Sequence, residues 1–175
     1  MTIPTVWFTG TVGAGKSSVA DAVSGELEQM GMMHALIPLD HLSQLLPFPR
    51  EDPFGDRLAA RNLASIWPHY VEAGARVAVI EGVIETRSLR DLFRAAIPDA
   101  DLTIVLVTAP RALVERRLEV RDIGIYRDRL VARSRELEPI LESAGLEAFR
   151  VHNDDRPIEA VGREVLQRLR WPDAI

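Results

Sequence analysis

A chain of 175 residues with 47% hydrophobic residues is long enough to bury one substantial core and too short for two ordinary domains. It has no cysteine, which excludes disulfides, thiolate metal sites and cysteine nucleophiles. Its formal net charge of -5 gives no electrostatic reason to expect a nucleic-acid or anionic-membrane partner. Apolar runs such as residues 77–80 and 104–107 fall far short of the roughly 20 residues that span a bilayer, and the N-terminus lacks a basic segment followed by a long apolar one. The expectation is a single cytoplasmic domain over residues 1–175.

Short apolar runs alternate with amphipathic stretches, the pattern of an α/β domain with a parallel sheet flanked by helices. The first strand is expected over residues 6–10. A helix should follow from Lys16 to Gly31, with Val19, Val23, Leu27 and Met30 on one stripe and Gly31 as its left-handed end. The second strand, 34–39, contains Pro38, which cannot donate to a central ladder and so places this strand at an edge.

Prolines 47, 49 and 53 turn the next segment into a loop over the sheet, able to close on a substrate. Its apolar stretch Leu45-Leu46-Pro47-Phe48 reads equally as a pocket wall or a partner surface. Then come a helix over 54–73, a strand over 76–81, a helix over 86–96 and a strand over 102–108. Helices over 110–121 and 126–144, a strand over 146–151 and a helix over 157–170 complete the chain. Most of the strands are apolar almost throughout, as expected where both faces are covered.

Between the first strand and the first helix, Gly10-Thr11-Val12-Gly13-Ala14-Gly15-Lys16-Ser17 fits G-x-x-x-x-G-K-[ST] position by position. Glycines let successive backbone N–H groups turn inward onto phosphate oxygens. Lys16 is placed to reach the β- and γ-phosphates, and the Ser17 hydroxyl to ligate Mg²⁺. The positive end of the helix, where Ser18 follows, adds to the attraction. Lys16 is also the only lysine in the chain, so any chemistry that needs a lysine must use it. The N-K-x-D element by which Ras-type GTPases read guanine is therefore absent. The short chain and the single acid in Val79-Ile80-Glu81-Gly82 point away from larger motors and towards small P-loop kinases.

On this loop and layout the sequence resembles the adenylate-kinase-like group, and within it the adenylylsulfate, shikimate, gluconate and chloramphenicol kinases. The resemblance implies a three-layer α/β/α P-loop NTPase fold with a five-stranded parallel sheet in the order 2-3-1-4-5. It also implies ATP as donor with Mg²⁺, and transfer of the γ-phosphate to a hydroxyl or phosphate of a small molecule.

Asp40, at the end of the second strand, would then accept or orient the acceptor proton, unless it merely caps the next helix. His41 is a substrate-pocket candidate. Glu81 stands where a Walker B carboxylate would, holding the metal or acting as the base, and the sequence leaves open which of the two acids is the base. Arg57 and Arg61, at i and i+4, would bind an anionic acceptor, or else sit solvated.

Residues 116–128 read as a short lid whose Arg117 and Arg121 contact phosphates; Arg129 and Arg133 form a second i, i+4 pair. Arg121-Asp122-x-x-x-Tyr126 is similar to the R-D-x-K-G-L-Y element of adenylylsulfate kinases, with Gly124 displaced and the lysine missing. The F-T-G-I-x-x-P-Y-E segment of that family is absent. After the last strand, the loop carrying Asn153 and Arg156 would pass over the adenine. A non-catalytic ATP-binding switch or interaction module is the alternative from another class, and no stretch identifies the acceptor.

Overall fold

The computed structural model describes residues 2–121 and 124–171, with the side chains of 121–127 outside what it describes. Its strands are β1 (Ile3–Thr9), β2 (His34–Pro38), β3 (Val77–Glu81), β4 (Ala100–Thr108) and β5 (Phe149–His152). The helices are α1 (Lys16–Gln29), α2 (Asp56–Glu72), α3 (Arg87–Ala96), α4 (Arg111–Arg121), α5 (Gly124–Ala144) and α6 (Ile158–Leu169), with a 3₁₀ turn at Leu39–Leu42. The five strands form one parallel sheet in the order β2-β3-β1-β4-β5, as the resemblance implied.

Both β2 and its Pro38 lie at the sheet edge, where the missing N–H is harmless. A second proline sits in the central strand. Ile3 donates its N–H to the Asp99 carbonyl on the β4 side, so the N–H absent from Pro4 would have pointed towards β3, whose ladder starts only at Thr5. This is how β1 begins three residues before the expected 6–10 run. At the other end of the sheet, β5 starts at Phe149 rather than at residue 146, because α5 runs to Ala144 and Gly145 (φ 53) leaves it in a turn.

Alternation along β1 feeds two core layers. Trp7 points to one face, among Leu63, Trp67, Ile80, Phe93 and Ile97, and its indole N–H donates to the Gly82 carbonyl at 3.0 Å. Val6 and Phe8 point to the other, among Val19, Val23, Leu27, Val161 and Val165 of α1 and α6. Burial on both sides explains why the strands carry continuous apolar runs. The end of α1 is as expected: Gly31 (φ 68) donates to the Glu28 carbonyl and Met32 to that of Leu27, the paired bonds of a Schellman turn. Among the described residues, no helix is long and apolar enough to cross a membrane.

Gly10 joins β1 to the loop where the chain passes hard against β4. A Cβ there would lie 2.4 Å from the Val107 carbonyl oxygen, a backbone atom of a central strand that cannot yield. Gly10→Ala is therefore expected to cost about 3 kcal/mol, at the upper end of overpacking penalties. Thermal unfolding should record it as a fall in Tm of roughly 6–12 °C.

Candidate active site

The loop from Gly10 to Gly15 turns back over the first residue of α1. Gly13 (φ 83) and Gly15 (φ 92) take left-handed conformations, and the Lys16 ammonium donates to the Thr11 carbonyl at 3.3 Å. The loop is also braced from behind. The Asn153 side-chain amide donates to the Ala14 carbonyl at 2.9 Å, and Arg117 of α4 donates to the same carbonyl and to the Asn153 carbonyl, each at 3.3 Å. A Cβ on Gly15 would come within 2.0 Å of the Asn153 amide nitrogen, so the loop and its brace fit only around glycine.

Sheet register supplies the acids. Phe8 of β1 pairs with Glu81 of β3, and Glu81 with Pro38 of β2, so Glu81 ends its strand beside the loop and Asp40 follows the edge strand in the 3₁₀ turn. The turn is fixed in place by Asn62 of α2, whose amide donates to the Leu42 carbonyl at 2.7 Å. Ser17 donates its hydroxyl to Glu81 Oε1 at 3.1 Å. Burial, with 6% of the residue exposed, raises the Glu81 pKa above the usual carboxylate range; Lys16 and the Ser17 hydrogen bond oppose this, whereas Asp40 and Asp21 add to it.

Lys16, Ser17, Asp40 and Glu81 all open into one cleft of about 760 Å³. Phe48 and Phe54 from the proline-rich loop and Phe93 from α3 also line it. The apolar stretch before α2 thus serves in part as a pocket wall, through Leu46, Pro47 and Phe48. Asp56 of α2, Glu85, and Arg129 and Arg133 of α5 complete the polar lining. Arg133 is ion-paired to Glu85 and, at 3.5 Å, to Glu136, and its guanidinium lies over the Phe54 ring, 4.5 Å from the centroid. Asp56 is raised to about 6, chiefly by burial and then by Asp52 and Glu85, with Arg133 pulling the other way.

Several residues singled out from the sequence lie elsewhere. Arg57 and Arg61 are exposed and line a separate groove of about 640 Å³ running to Leu92 and Ala96 of α3. The helical turn of 100° per residue that carries Asp56 and Ala59 into the cleft carries these arginines out of it. His41 is exposed and does not line the cleft. Asn153 is buried and donates its side-chain amide to the Ala14 carbonyl, which braces the loop. Arg156 donates to the His152 carbonyl and pairs with Glu164 at 2.7 Å, closing the β5–α6 connection. The Arg121 side chain and the centre of the expected lid lie outside the described residues.

Neither Asp56 nor Glu85 was singled out from the sequence. The i, i+4 spacing of Arg129 and Arg133 was the one signal that put both on a single face of α5.

A phosphate cradle between β1 and α1, with acids at the carboxyl ends of the neighbouring strands on a 2-3-1-4-5 sheet, places the molecule among the P-loop kinase-like domains. The family model for adenylylsulphate kinase matches residues 3–138, and the chain belongs to that family. An adenylyl-sulfate kinase of Shewanella amazonensis is 33% identical over 116 residues, covering 64% of this chain and 57% of that protein. A probable adenylyl-sulfate kinase of Bacillus subtilis is 27% identical over 113 residues, with 64% and 56% covered. The chain thus spans little more than half the length of the curated relatives it matches. The structure of a Mycobacterium tuberculosis APS kinase in complex with AMPPNP and APS superposes with a TM-score of 0.62 at 26% identity, covering 97% of this chain and 98% of that one.

Proposed function

We propose that the chain is an ATP-dependent phosphotransferase acting on a small-molecule acceptor, with residues 1–175 as one catalytic domain and 116–128 as its lid. The observation that carries this reading is the convergence of Lys16, Ser17, Asp40 and Glu81 on one cleft with room beyond the phosphate loop for a second ligand. Lys16 and the loop N–H groups would hold the β- and γ-phosphates, with Arg117 steadying the loop. Asp40, exposed at the cleft edge, would orient the acceptor hydroxyl and take its proton.

Ser17 and Glu81 offer hard oxygen donors side by side, a pair that suits Mg²⁺ shared with nucleotide phosphates. That ion, when bound, would neutralise charge on the transferring group. A cytoplasmic protein without nucleic-acid or membrane partners belongs to the same proposal, supported by the net charge of -5.

The test is ADP release from Mg-ATP against adenylylsulfate, shikimate, gluconate, nucleosides, nucleotides and antibiotics of the chloramphenicol and aminoglycoside types. Release that depends on one acceptor class is the expected result. Tight ATP binding with no release in any mixture would favour the switch or interaction module instead.

A further inference from the structure

One guanidinium joins three parts of the cleft that are distant in sequence. Arg133 of α5 is ion-paired to Glu85 in the β3–α3 connection and lies over the ring of Phe54, two residues before α2. Only 22% of each charged side chain in that pair is exposed, so solvent and salt screen it less than they screen the surface pairs. Glu136, at 3.5 Å, adds a second carboxylate to the same guanidinium.

Phe54 needs such a contact because the core does not hold it. The residue is 54% exposed and belongs to none of the buried apolar clusters of the described residues. The loop around it is instead folded onto itself and onto the start of α2. Asp52 accepts hydrogen bonds from the backbone N–H groups of Arg57 and Leu58 at 3.2 and 3.1 Å, and Gly55 donates its own to the Asp52 carbonyl at 3.0 Å. Gly55 (φ 72) also packs so closely that a Cβ there would lie 2.9 Å from the Phe48 ring. Residues 48–55 thus form one piece of structure with α2, and Arg133 ties that piece to α5.

We propose that Arg133 is a positioning residue of the acceptor site: its guanidinium, oriented by Glu85, holds Phe54 and with it the proline-rich loop as a wall of the cleft. What the wall receives rests on the kinase reading, whereas what holds it rests on these contacts. Arginine suits the task because its planar group stacks on a ring while its N–H edge serves a carboxylate. The compact ammonium of a lysine does the two less well together.

The first test needs no acceptor. Amide hydrogen exchange of the full chain, read by mass spectrometry, compares the wild type with Arg133→Ala, Arg133→Lys, Phe54→Leu and the Arg133→Ala/Phe54→Leu pair. Exchange over residues 44–55 should quicken about fivefold in Arg133→Ala, the size of one cation–π contact, while β1 and β3 keep their wild-type rates. Phe54→Leu should quicken the same amides, the double variant should go little beyond either single one, and Arg133→Lys should fall between.

A kinetic test uses whichever acceptor of the release panel supports turnover in the wild type. Its KM should rise about fivefold in Arg133→Ala with KM for ATP unchanged, and Arg133→Lys should recover part of the loss. Unchanged loop exchange in Arg133→Ala, effects of Arg133→Ala and Phe54→Leu that add in full, or a KM rise shared equally by ATP and acceptor overturns the proposal. Absence of release with every acceptor counts against the kinase reading instead, and loop exchange still decides whether Arg133 holds the wall.

Discussion

Lys16→Ala is expected to lower turnover by about 10²–10³-fold, the usual cost of removing one preorganised charge stabiliser from a reacting centre. The chain has no second lysine to take over. The effect should fall on kcat rather than on folding. Lys16 reaches the loop through a bond of 3.3 Å to the Thr11 carbonyl, whereas the shape of the loop is held by Asn153, Arg117 and the close passage of Gly10 against β4. Lys16→Arg should restore little, because a planar fork does not replace a compact ammonium within so tight a turn. Steady-state ADP release together with a thermal melt checks both halves. Near-normal turnover in Lys16→Ala, or a collapse in Tm equal to the loss of activity, would refute this account of the loop.

Glu81→Gln is expected to divide function from stability in opposite directions. Turnover should drop by roughly 10²–10³-fold whether the carboxylate holds the metal or takes the proton. Stability without nucleotide should instead rise at neutral pH. The folded protein holds the Glu81 proton more tightly than the unfolded chain does, since burial raises its pKa above the ordinary 4.5. The native state therefore binds more protons between the two values, and wild-type stability falls as pH climbs through that window. Removing the charge removes the loss. The gain in Tm should be largest above the window and vanish below about 4.5, where both states are protonated. Denaturation curves of both proteins across pH test the sign. An Asp40→Asn companion should lose activity with a smaller stability gain, since it removes only one of the charges that repel Glu81.

What the sequence made legible follows from how local each signal is. The loop from Gly10 to Ser17 is a contiguous pattern whose residue types answer one ligand, and it was read position by position. The edge position of β2 followed from one proline, and its acid from the strand end. Arg57 and Arg61 were read on the correct helix and on the same face as each other, but spacing alone does not say which face looks inward. Only the packing of α2 against α3 and the 3₁₀ turn turned Asp56 inward and the arginines out. The bracing contact of Asn153 could not be read from the sequence, because its partner is a backbone carbonyl far away in sequence, and no local pattern records such a contact. The ion pair of Glu85 with Arg133 was invisible for the same reason.

The bracing of the phosphate loop also has a consequence for the order in which the molecule matures. Its carbonyl at Ala14 waits for Arg117 and Asn153, which leave the ribosome long after it. The β4 carbonyl that Gly10 passes is likewise made late. A nascent chain that has emerged only as far as β3 holds the whole glycine-rich motif with its Lys16–Thr11 and Ser17–Glu81 bonds, and yet lacks the brace at Ala14. Competence to grip a nucleotide thus arrives with β5, and nucleotide capture during synthesis would mark the moment at which the sheet has closed.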